Sequence, residues 1–109
     1  MQLLDSASAF TSPAVGEGVH WVEHLRSPQL SVGTYSLPAG GVDDQEPHTE
    51  DEIYYVVSGA ASFTAAGTTV AVRAGTTLYV PANEVHRFHD VTADLALLVV
   101  FAPPEGALG

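Results

Sequence analysis

The chain has 109 residues, enough for one compact domain that buries roughly two thirds of the surface its unfolded form exposes. Thirteen acidic residues against three arginines and no lysine give a formal charge of −10, which argues against nucleic acid or an anionic membrane as a partner. Cysteine is absent, so disulfides, thiolate nucleophiles and thiolate metal sites are excluded.

Residues 1–18 carry no sustained periodicity and read as an irregular lead-in, with no arginine before Arg26 to begin a secretory signal. A barrel domain is expected over 19–103. Its strands are expected at Val19 to Leu25, Leu30 to Leu37, Glu52 to Val57, Ala61 to Ala65, Thr69 to Arg73, Thr76 to Val80, His86 to Val91 and Leu95 to Ala102. Ser27-Pro28, Pro38-Ala39-Gly40-Gly41, Ser58-Gly59, Ala66-Gly67, Ala74-Gly75, Pro81-Ala82-Asn83 and Thr92-Ala93-Asp94 separate them. Fourteen valines, nine threonines and short strands at close spacing predict an all-β sandwich or small barrel. Pro103-Pro104 ends the last strand and leaves 104–109 as a loose tail. The longest apolar run, Leu95 to Ala102, has eight residues against the roughly 20 a membrane helix needs, so a cytoplasmic protein is expected. That run is apolar on both of its faces, which predicts a homodimer covering the outer one.

Six carboxylates fall within ten residues, at Asp43, Asp44, Glu46, Glu50, Asp51 and Glu52, with His48 among them. Such crowding repels itself unless water or a cation relieves it, and a solvated acidic loop is the simplest form it can take. Glu46, His48 and Glu52 share one parity, so an extended stretch sends them to one face. Fully extended, positions 46 and 52 would stand roughly 20 Å apart, whereas the ligands of one ion converge within about 4 Å. A bend at Thr49-Glu50-Asp51 is therefore required, leaving His48 on one strand and Glu52 at the start of the next. A second polar focus follows the Pro81 turn, where His86 and Phe88 share a face and His89 takes the other. His20, His24 and His89 read as surface or hydrogen-bonded structural histidines.

These two foci together resemble the paired motifs of the cupin superfamily. In the first, Gly40, five residues, Glu46, one residue, His48, three residues, Glu52, six residues and Gly59 keep the family spacing, with Glu46 where the family usually has histidine. In the second, Gly75, five residues, Pro81, one residue, Asn83, two residues, His86 and three residues to Asp90 do the same, with Asn83 for the usual glycine and Asp90 for the usual asparagine. The resemblance implies a double-stranded β-helix, or jelly-roll barrel. It also implies His48, Glu52 and His86 as ligands of a divalent transition metal, with the fourth place taken by Glu46 or left to water.

Two imidazoles and a carboxylate suit Fe(II) and also admit Mn, Co, Ni or Zn. Tyr54, on the face of Glu52, and Phe88 are expected to wall a pocket for a compact organic substrate. An unbound Glu46 would serve as general base. The resemblance implies either a metalloenzyme of dioxygenase or isomerase type or a non-catalytic module that binds a sugar or metabolite, since fold alone settles no reaction.

Overall fold

The computed structural model describes residues 1–10, 16 and 19–108; Gly109 and the remainder of the expected lead-in, 11–15, 17 and 18, lie outside them. Six strands follow a short 3-10 turn at Asp5–Ser8: β1 His20–Arg26, β2 Ser31–Leu37, β3 Asp51–Ala65, β4 Thr68–Arg73, β5 Thr77–Val80 and β6 His86–Ala102. All pairings are antiparallel. They run in the order β1-β2-β6-β3-β4, with β5 alongside the first half of β3. Among the described residues there is no α-helix, and none is long and apolar enough to cross a membrane.

The fold is the all-β jelly-roll barrel, and β3 and β6 close it by folding over on themselves. Tyr54 and Phe63 lie nine positions apart on β3, which a straight strand would space at roughly 30 Å. Their ring centroids are 5.8 Å apart. Parity records the bend. Glu52, Tyr54 and Val56 are buried before it and Ala61 and Phe63 after it, so the inward side changes from even to odd positions. On β6 the same change separates His86 and Phe88 from Val91, Leu95, Leu97, Val99 and Phe101. The register between the two strands shifts repeatedly from Val56 to Ser62, the signature of β-bulges, which turn a strand without ending its pairing.

This corrects the expected separators. Ser58-Gly59 and Thr92-Ala93-Asp94 bend strands that remain continuous, because the residues flanking the bulges keep their partners on both sides of the bend. Gly59 is obligatory there: its φ is 100°, and a β-carbon would stand 2.3 Å from the Asp94 carbonyl oxygen. Asp90 makes the matching turn on β6 at φ 49°.

Residues beyond Pro103, expected to be loose, are held. The buried Glu50 carboxylate accepts from the backbone N–H groups of Gly106, at 3.0 Å, and Leu108, at 3.3 Å, and from the Thr49 hydroxyl. Burial opposes its charge, but these donors and the neighbouring His48 outweigh that and hold its carboxyl below the ordinary value. The Glu105 N–H in turn bonds the Ser31 hydroxyl at 2.9 Å.

Two alanine substitutions separate conformational cost from steric cost. Gly67 also has positive φ but open space around it, so Gly67→Ala is expected to lose only about 1 kcal/mol. Gly59→Ala adds a backbone clash and is expected to lose about 3 kcal/mol or more. Urea unfolding of both variants checks this, and equal losses would contradict the assignment of the bend.

Candidate metal centre

The two polar foci meet because the turn after β5 docks on the segment before β3. Asn83, left-handed at φ 68°, donates its backbone N–H to the His48 carbonyl at 2.7 Å. Asparagine tolerates that conformation better than most residues, so it serves where the family pattern has glycine. Beside it, the Ala82 N–H is capped by the Asp51 carboxylate at 3.0 Å. With Val80 paired to Glu52 across β5 and β3, these bonds carry His86 to the side of His48 and Glu52. His48 is not on a strand, as the parity reading expected, but on an irregular segment running from 41 to 48.

One ligand atom from each of His48, Glu52 and His86 lies within 4.8 Å of the other two. Glu52 and His86 are buried, and Glu52 Oε1 stands 3.2 Å from His86 Nε2. The other ring nitrogen, Nδ1, is 2.7 Å from the Glu84 carbonyl, which can only accept. The proton of a neutral imidazole is thereby fixed on Nδ1, and the bare Nε2 faces a carboxylate oxygen. Two acceptors in a buried site repel unless a positive charge lies between them. Glu52 Oε1 also has no hydrogen-bond partner of its own. A cation answers both conditions, so the residues fit a divalent metal.

Without a cation, a proton takes the same role. Burial disfavours a charged His86, but the Glu52 bond, the Glu84 carbonyl and the carboxylates of Glu52 and Asp43 outweigh it and raise its pKa above the ordinary 6.5.

Tyr54, expected on the pocket wall, is buried with its hydroxyl 3.1 Å from His86 Nε2 and 3.1 Å from Gln45 Oε1. Burial, then the Glu52 charge, push its pKa well up, so it keeps its proton and acts as a donor. Phe88, expected beside it, stands behind it in the hydrophobic core, 5.0 Å from the Tyr54 ring and 4.7 Å from that of Phe63. Glu46 is exposed and is not brought together with the other three.

The inward positions of the 41–48 segment belong to residues the sequence reading passed over. Asp43 is buried and accepts from the Tyr35 hydroxyl at 2.6 Å, the Phe88 N–H at 2.8 Å and the Gln45 side-chain amide at 2.9 Å. Its signal in the sequence was the acidic crowding itself. His24 bonds Thr34, and His89 bridges Thr64 and Asp90, both away from the cluster.

A cavity of about 170 Å³ opens beside the cluster, lined by Trp21, Tyr35, Gln45, His48, Glu52, Tyr54, Val99, Phe101 and Glu105. The His48 ring packs against Phe101 at 4.7 Å, and Trp21 meets the same phenyl edge-on at 6.0 Å. Trp21 occupies the space a β-carbon on Gly33 would need, 2.3 Å from its indole.

Residues 33–101 match the cupin domain family. The chain is a cupin. It is 47% identical over 92 residues to the uncharacterized protein SCO3923 of Streptomyces coelicolor, across 84% of this cupin and 87% of that protein. Among solved structures it is similar to KdgF from Halomonas sp., with a TM-score of 0.74 and 22% identity over 87% of this chain and 89% of that one. It is also similar to the DMSP lyase DddQ from Ruegeria pomeroyi, with a TM-score of 0.73 and 19% identity over 79% of this cupin and 47% of that chain. At these identities the two structures share the fold with it.

The Glu52–His86 pair gives a prediction for chelator-treated protein. Against burial, the His86 pKa is raised first by the Glu52 bond and then by the Glu84 carbonyl and the charges of Glu52 and Asp43, so Glu52→Gln removes the largest raising influence and brings the imidazole pKa down. An NMR titration of the ring protons is expected to place the wild type above 6.5 and the variant below the wild type. A variant titrating at or above the wild type would refute the pairing.

Proposed function

We propose that this cupin is a small metal-dependent enzyme that converts a compact organic molecule inside the barrel, with a divalent transition metal, Fe(II) for preference, held by His48, Glu52 and His86. The observation that carries this reading is the approach of His86 Nε2 to within 3.2 Å of the otherwise unpartnered Glu52 Oε1, in a buried site next to an aromatic cavity. Bound there, the ion would supply Lewis-acid polarisation or oxygen activation.

The chain's own residues account for binding and proton placement. A cavity of about 170 Å³ is close to what a benzene-sized guest fills and lies below the usual range for drug-sized ligands. Trp21, Tyr35, Tyr54 and Phe101 line it with aromatic rings, and no arginine among the described residues does so. An uncharged guest therefore suits it better than a strongly anionic one. The Tyr54 hydroxyl keeps its proton and offers it as a hydrogen bond at the edge of the cluster. Glu46 is exposed and stands apart from this cluster.

Metal analysis of protein purified without chelators or an affinity tag is expected to find about one equivalent of a transition metal, lost in His86→Ala and His48→Ala. Metal content unchanged by both substitutions would overturn the site. Metal-dependent oxygen uptake or isomerisation is expected with at least one small thiol or phenol. Metal bound without any such turnover would leave a ligand-binding module in place of an enzyme.

We also propose that this cupin is a homodimer. Val32, Val100, Ile53 and Tyr79 are paired in turn across four strands and so share one face of the sheet. Ile53 and Tyr79 are 37% and 60% exposed, with Tyr55 and Val57 beside them on β3 also open. Light scattering is expected to give twice the chain mass, and Ile53→Lys to return it to one; a wild-type monomer would remove the proposal.

A further inference from the structure

We propose that the side-chain carbonyl of Gln45, aimed by Asp43, is the fourth donor of the centre, in the place the family pattern gives to residue 46. The proposal rests on the metal reading above and adds to it a residue that the motif spacing does not select.

Amide orientation is the first argument. Gln45 Nε2 donates to Asp43 Oδ2 at 2.9 Å, and Asp43 is itself buried and anchored by the Tyr35 hydroxyl and the Phe88 N–H. Turning the amide over would set its oxygen against a carboxylate oxygen, acceptor against acceptor. Asp43 therefore fixes which end of the amide looks inward. The inward end is Oε1, 3.2 Å from His48 Nε2 and 3.1 Å from the Tyr54 hydroxyl.

Spacing is the second. Donors bound to one first-row ion at about 2.0–2.2 Å stand roughly 3.0–3.5 Å from one another. Gln45 Oε1 and His48 Nε2 are 3.2 Å apart, as are Glu52 Oε1 and His86 Nε2. Before a cation binds, the first pair is a hydrogen bond from His48 to the amide oxygen; releasing that proton leaves two lone pairs at ligand spacing.

The third argument is the path of the chain. Equal parity would bring residue 46 inward with His48 only along an extended strand, and the 41–48 segment is irregular. It buries Asp43, half-buries Gln45 and exposes Asp44 and Glu46. A neutral oxygen in the fourth place leaves Glu52 as the one anionic ligand, so a divalent ion keeps net positive charge and stays electrophilic toward the guest.

The test titrates Co(II) into chelator-treated protein and reads affinity by chelator competition and the donor set by the visible absorption of the bound ion. Gln45→Met keeps the bulk of the side chain without an oxygen, and is expected to weaken Co(II) binding at least about tenfold and to alter the spectrum. Glu46→Ala is expected to match the wild type in both readouts. Gln45→Asn, too short to reach from the Asp43 bond, is expected to behave as Gln45→Met and serves if that variant does not fold. His86→Ala is the control: if the wild type gives no bound-ion spectrum, or His86→Ala binds as tightly, the metal reading itself fails. If His86→Ala abolishes binding while the Gln45 variants keep wild-type affinity and spectrum, or if Glu46→Ala is the variant that changes them, the centre stands and the assignment of Gln45 is overturned.

Discussion

At Gly59 the chain passes so close to the Asp94 carbonyl that a β-carbon would lie 2.3 Å from it, and this approach lets strands of 15 and 17 residues double back over each other. The inner face of β3 changes parity at that bend, which sets Tyr54 against Phe63 and Phe88 and closes an aromatic floor under the polar cluster. Above that floor, the docking of Asn83 on the His48 carbonyl brings two imidazoles from chain positions 38 residues apart beside one carboxylate. The site is thus a product of backbone contacts first, and of side-chain chemistry second.

The acidic segment shows how a self-repelling run becomes structural. Asp43 collects a phenol, a backbone amide and a side-chain amide; Glu50 collects two backbone amides and a hydroxyl; Asp51 caps Ala82. These three charges are met by their own donors and Asp44 and Glu46 face solvent, so crowding in the sequence does not become crowding in space. Among the buried carboxylate oxygens of the described residues only Glu52 Oε1 has no hydrogen-bond partner, and it stands 3.2 Å from His86 Nε2. A solvated loop would have shown the opposite pattern, with all six carboxylates facing water.

Much of this was legible in the residues. The class of fold follows from valine, threonine and the glycine and proline punctuation, and the motif spacing singled out His48, Glu52 and His86, which the chain does bring together. Strand ends were misread at Ser58-Gly59 and Thr92-Ala93-Asp94, because a glycine that ends a strand and a glycine that bends one leave the same local signal. The inward role of Asp43 and Gln45 escaped for a different reason. Parity holds only where the backbone is extended, and the segment before β3 takes its course from long-range bonds to Phe88, Val91 and Asn83, which no local window contains.

The sequence holds a single tryptophan, and the fold spends it on the cavity wall, seated over Gly33 with its edge toward Phe101. A guest settling beside His48 displaces solvent from the immediate surroundings of that indole, whose emission depends on how wet and how polar those surroundings are. The molecule thus carries a built-in optical reporter, so candidate ligands can be screened by fluorescence before any reaction is known.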